Sequence, residues 1–101
     1  MYSLSFLGEM VMIFAQVISL IITVYIYIVV ARAIISWVNP DPYNPIVRFL
    51  HNATDPVLYR IRRVLPLQFG GFDFSPILLL VGLYFVQRVV WLVLQRLAMS
   101  L

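Results

Sequence analysis

Cysteine is absent from the 101 residues, which excludes disulfides, thiolate metal centres and cysteine nucleophiles. Lysine is absent as well: all seven basic residues are Arg, set against four acids. Charged residues make up 11% of the chain, where a soluble domain carries about 25%. Histidine occurs once, as His51. The carboxylates Asp41, Asp55 and Asp73 lie far apart, and no acid pair, Ser-His arrangement or metal-ligand spacing emerges. Neither catalysis nor a resident metal ion is expected. Gly70-Gly71 has no Walker or dinucleotide pattern around it and reads as a turn.

What is present is apolar: 63% of the residues are hydrophobic. A water-soluble fold this small has too much surface for its volume to hide that many, so lipid must cover much of the chain. The net charge of +3 then points to anionic headgroups and to topology, with no direct nucleic-acid contact, because the Arg residues sit close to apolar segments.

The first apolar run, Met10 to Ala31, has no charge over 22 residues. As a helix it spans roughly 33 Å, enough for a hydrocarbon core about 30 Å thick. A transmembrane helix is expected over about residues 8–35. Ala31-Arg32-Ala33 has the shape of a signal-peptidase site, but no Lys or Arg precedes it and the run is far longer than a signal core, so the helix is expected to stay. A second span is expected over about 76–98. Ser75 caps it and Pro76 takes its first position, and Gln87 and Arg88 interrupt its apolar run. The fold class is therefore an all-α membrane protein, a two-transmembrane-helix antiparallel hairpin forming one unit.

The connecting stretch, 36–74, is patterned. Asn44-Pro45 and Thr54-Asp55-Pro56 each join a capping residue to a proline, which predicts two short helices over about 45–52 and 55–65. Their apolar positions are Ile46, Val47, Phe49 and Leu50, then Val57, Leu58, Ile61, Val64 and Leu65. Such helices lie in the headgroup plane with Arg toward the phosphates. Arg48, Arg60, Arg62 and Arg63 are the basic residues expected to face lipid or a partner. With Arg32 they outweigh Arg96 on the terminal side, which puts the loop in the cytoplasm and both termini outside.

Arg88 falls near the middle of the second span, where Arg costs roughly 2.5–3.5 kcal/mol on the insertion scale. The first span carries a polar face of Glu9, Gln16, Ser19 and Thr23, and the second carries Arg88 and Gln95. Ala15, Ser19 and Thr23 repeat every fourth residue and permit close helix approach. Matching depths in an antiparallel pair sets Glu9 level with Arg96 and Gln16 within a turn of Arg88. It also sets Arg32 level with Asp73 and Ser75. The two polar faces are expected to meet, within the subunit or between subunits, with Arg88 donating to Gln16 or Ser19. The stripe reads as helix-packing glue, or alternatively as the lining of an ion or water path or a cofactor-edge contact, or as an Arg88 that snorkels to the outer interface without a partner.

Arg32-Ala33-Ile34-Ile35-Ser36-Trp37, Asn44-Pro45, Thr54-Asp55-Pro56, Arg62-Arg63, Pro66 and Gly70-Gly71-Phe72-Asp73-Phe74-Ser75-Pro76 follow one another along the chain. This succession resembles the YggT family, also called YlmG, over about three quarters of the chain. The pattern positions are Arg32, Ser36, Trp37, Pro45, Thr54, Pro56, Arg62, Pro66, Asp73, Ser75 and Pro76. The resemblance implies a small integral membrane protein, in bacteria of the inner membrane. It links the chain to osmotic tolerance, division-site or nucleoid organisation, or haem attachment in cytochrome maturation, and brings no catalytic residue. Trp37 suits the interfacial belt, and Arg32 with Asp73 would clamp the two spans.

Three functions follow as expectations. The first is a non-catalytic scaffold or assembly factor whose basic loop engages a partner or anionic lipid. The second is a transport oligomer built on the polar stripe, since two helices alone enclose no pore. The third is a haem-handling factor using His51. A homo-oligomer, or pairing with another membrane protein, is expected in each case, and no cofactor is required by the first.

Overall fold

The structure, a computed structural model, describes residues 4–38, 41–65, 68–70 and 72–101; the side chains of 68, 69, 72 and 73 lie outside the described set. Three helices and a two-stranded hairpin follow in the order α1 (Phe6–Val38), α2 (Pro45–Val64), β1 (Gln68–Phe69), β2 (Phe72–Asp73) and α3 (Ser75–Ser100).

The apolar runs produce α1 and α3. Ser5 caps α1, its Oγ accepting from the Gly8 N–H at 3.0 Å. At 33 residues, α1 accounts for the 52 Å long dimension of the molecule. Both helices are long and apolar enough to cross a membrane, and only 11% and 6% of their most apolar stretches are buried within the protein. A core helix of a soluble protein would be covered, and these are not. Pro76 sits in the first turn of α3 as expected, but the helix starts at Ser75 and its cap position falls on Phe74, one residue earlier than the sequence pattern puts it. Ser75 is fully buried.

The two long helices lie side by side and run in opposite directions. Gly8 of α1 abuts Ala98 of α3, Ser19 and Thr23 meet Gln87, and Val29 packs with Leu79. A Cβ on Gly8 would stand 2.5 Å from the Ala98 carbonyl oxygen, so this end of the pair depends on the missing side chain.

Asn44 caps α2 as expected, its Oδ1 accepting from Ile46 N–H at 2.8 Å with Pro45 in the first turn. The expected second start at Thr54-Asp55-Pro56 does not occur, and α2 continues through Pro56 as one helix of 20 residues. A proline inside a helix costs about 3 kcal/mol through its lost hydrogen bond and its ring. Packing offsets that here. Val47, Leu50, Thr54 and Leu58 recur at helical spacing, and all are buried. Leu58 joins Val29 and Leu79 in the core, while Pro56 and Asn52, whose carbonyl loses its donor, lie on the exposed side. Thr54 is thus a core residue, its Oγ1 donating to the Leu50 carbonyl at 2.7 Å.

Gly70-Gly71 lies between strands that pair Gln68 with Asp73 and Phe69 with Phe72. Gly70 has φ 58°, the left-handed region that a two-residue hairpin turn demands.

α2 covers one flank of the span pair over the C-terminal half of α1. Toward the N-terminal end of α1 on that flank an apolar groove of about 400 Å³ remains open, lined by residues that include Leu7, Phe14, Leu94 and Leu97.

Candidate interaction sites

Polar side chains gather at two depths, and the rotation of α3 about its axis decides which ones. Leu79 enters the core with Val29 and Leu58, and Ala98 rests on Gly8. Between these anchors, at 100° per residue, the side of α3 turned to α1 carries Leu83, Gln87 and Leu94. Gln87 is therefore the donor in mid-span. Its Nε2 lies 2.6 Å from Thr23 Oγ1, 2.9 Å from the Ser19 carbonyl and 3.4 Å from Ser19 Oγ. Thr23 in turn donates to the Ser19 carbonyl at 2.8 Å.

This corrects the expectation that Arg88 of the same subunit donates to Ser19. Arg88 is one residue, and so 100°, further round, exposed, and without a hydrogen bond or ion pair among the described residues. It lines a groove of about 260 Å³ with Ser19, Tyr84, Gln87 and Trp91. Glu9 and Gln16 are also exposed, and Gln95 is half-buried. Ser19 and Thr23 of the first stripe thus form part of the helix contact, while Glu9, Gln16, Arg88 and Gln95 flank it.

The second cluster joins α1 to α2. Arg32, 12% exposed in its side chain, points Nε and Nη2 at Asp55 Oδ1, each at 3.4 Å. The other carboxylate oxygen of Asp55, Oδ2, is 3.3 Å from His51 Nδ1, one turn earlier on α2. Tyr25 donates its hydroxyl to the Ala53 carbonyl at 3.0 Å. Asp55 was expected to cap a helix; it lies in the helix interior, and its carboxylate ties α2 to α1. The expected clamp between Arg32 and Asp73 falls on a side chain outside the described residues, as does Pro66.

His51 shares a shallow groove of about 350 Å³ with Pro42, Arg48, Asn52 and Asp55. Among the described residues there is no group of three or more His, Cys, Asp or Glu that could hold a metal ion.

The remaining family-pattern positions are spread out. Ser36 is exposed, its hydroxyl bonded back to the Ala33 carbonyl at 2.7 Å. Trp37 is 81% exposed at the end of α1. Arg48, Arg60 and Arg63 are exposed on α2, Arg63 lying over the Tyr59 ring at 5.8 Å, and Arg62 is half-buried. α2 thus has three sectors. One packs on the spans, one carries Arg48, Asn52 and Arg63, and one leaves Ile46, Phe49, Val57 and Val64 exposed with Arg60 among them.

Sequence reasoning missed Gln87, the partner of Arg32 and the Gly8 contact. Gln87 left a signal, a polar residue three turns before the small Ala98, in phase with it on the helix.

Residues 11–94 match the family described as CCB3/YggT. A Pseudomonas aeruginosa protein named as uncharacterized protein PA0392 is 34% identical over 72 residues, 71% of this chain and 36% of that protein. The uncharacterized protein YggT of Escherichia coli K12 is 42% identical over 69 residues, 68% of this chain and 36% of the relative. A Vibrio alginolyticus protein is 39% identical over 59 residues, 58% of this chain and 31% of its own length. The matches therefore span about a third of the length of these relatives. No solved structure matches the chain significantly.

Proposed function

This chain belongs to the CCB3/YggT family, and from that premise we propose that it is a non-catalytic membrane scaffold whose α2 surface, at the cytoplasmic face, engages anionic headgroups and the partners gathered there. α1 and α3 cross the bilayer as an antiparallel hairpin, with both termini outside. The observation that carries the reading is the exposed double character of α2. Ile46, Phe49, Val57 and Val64 form an apolar sector that the protein itself does not cover, with exposed Arg60 set among them and exposed Arg48 and Arg63 beside it. That pairing suits a helix lying at the headgroup boundary, apolar side chains in the acyl region and guanidinium groups on phosphates. The core around Leu58 and the Arg32–Asp55 pair hold this helix rigidly on the spans. A charged surface held on the spans in this way suits recruitment.

The test is lipid retention. The protein in detergent is equilibrated with a mixture of zwitterionic and anionic phospholipid, repurified, and its bound lipid measured by mass spectrometry. Each surface Arg contributes about 1 kcal/mol toward an anionic membrane surface. The Arg48→Gln, Arg60→Gln, Arg63→Gln triple variant should then retain severalfold less anionic lipid at unchanged zwitterionic lipid. Equal retention by the two proteins overturns the reading.

A further inference from the structure

We propose that the flank of the span pair opposite α2 is the docking surface for a second copy of this chain, related by a two-fold axis along the bilayer normal. The inference goes beyond the lipid-engaging role of α2 and does not depend on it.

The flank is defined by two facts. Tyr25, Val29 and Arg32 meet α2 on one side of α1, and Leu79 meets it on the same side of the pair. At 100° per residue, Glu9, Gln16 and Tyr27 fall on the other side of α1, about a quarter turn from the contact with α3. Tyr84, Arg88 and Gln95 fall about a quarter turn round α3, toward the groove that Ser19 and Trp91 also line. Because the helices are antiparallel, both quarter turns open to the same side. One face of the pair therefore collects the polar groups that the chain itself leaves unused.

These groups are complementary in register. The contacts of Gly8 with Ala98 and of Ser19 with Gln87 fix relative depth. Gln16 then lies two residues, roughly 3 Å, from the depth of Arg88, and Glu9 lies the same distance from the depth of Gln95. A rotation of 180° about the bilayer normal preserves depth and sets α1 of one copy against α3 of the other. It brings each Arg88, a pure donor, to the partner's Gln16 carbonyl, and each Gln95 amide to the partner's Glu9 carboxylate. Every pairing occurs twice, as an isologous interface requires. Lipid tails offer Arg88 no acceptor, whereas a second copy offers one at the correct depth. α2 stays on the outside of the resulting four-helix arrangement, clear of the interface.

The chain has no native Cys, so introduced thiols report contacts cleanly. Tyr27 and Val81 are exposed on the proposed flank at matching depth. Copies carrying Tyr27→Cys and Val81→Cys are co-expressed with different tags in native membranes and oxidised. A disulfide-linked species of twice the chain mass with both tags is expected, at least tenfold above the Ile21→Cys and Phe85→Cys pair, which shares one depth but faces away. Wild-type protein in lipid nanodiscs, measured by native mass spectrometry, should also hold two chains. Equal linkage in both pairs, linkage to a protein of another mass, or one chain per disc overturns the proposal.

Discussion

Arg32 and Asp55 join the end of α1 to the middle of α2, both Nε and Nη2 of the guanidinium lying 3.4 Å from one carboxylate oxygen. The Arg32 side chain is nearly enclosed and that of Asp55 is half open, at 12% and 48% exposure. Removing the carboxylate leaves a desolvated cation, whereas removing both groups leaves none.

Asp55→Ala should therefore destabilise the chain by about 1–3 kcal/mol. Arg32→Leu combined with Asp55→Leu should cost less than the sum of the single changes. Unfolding in mixed detergent–SDS micelles, followed by helical circular dichroism, gives the cycle. Additive single and double variants would remove the pair from the account of how α2 is held.

Gln87→Leu should lower stability by about 0.6 kcal/mol for each hydrogen bond lost to Ser19 and Thr23. Arg88→Leu, measured at a dilution where the chain is monomeric, should change it by no more than about 0.5 kcal/mol. The same SDS titration reads both. A larger effect from Arg88 than from Gln87 would mean that α3 is rotated by one residue from its position here.

Gly8→Val should push the outer ends of α1 and α3 apart, at a cost of about 1–3 kcal/mol. Gly82 supplies the control, because a Cβ built there meets nothing within 4 Å. Gly82→Ala is expected to be neutral or slightly stabilising in the helix interior. Equal losses at the two glycines would sink the close approach.

The topology has its own check. Single cysteines at Tyr59 and Met99, probed with an impermeant maleimide in intact cells and in inverted vesicles, should label from opposite sides. Labelling of both from one side would overturn the hairpin across the bilayer.

The two long helices were legible in the sequence because hydropathy over twenty residues is a summed signal that single residues barely perturb. The Asn44-Pro45 start was legible for a different reason: the cap and the fixed proline φ act within three residues. Thr54-Asp55-Pro56 carries the same local signature and misled, because burial of Thr54, and of Leu58 against Val29 and Leu79, offsets what the helix loses at Pro56. Local rules do not contain that comparison. Gln87 and Arg88 show the same boundary at the candidate site. Neighbouring residues on a helix differ by 100°, and which of them meets Ser19 depends on where Leu79 and Ala98 seat, residues remote in sequence from α1. Depth matching in the sequence set Arg32 level with Asp73; only the crossing of α2 over α1 brings Arg32 to Asp55.

The small hairpin between α2 and α3 carries a consequence for assembly. Proteins that exchange elements with a neighbour do so by straightening a connection, which hands one helix to the other subunit. Here the connection is folded on itself, Gln68 paired with Asp73 and Phe69 with Phe72 around a left-handed Gly70. Opening it would break the ladder and pull α3 off the Gln87 contacts in one movement. The paired connection thus favours each chain keeping its own third helix against its own first helix.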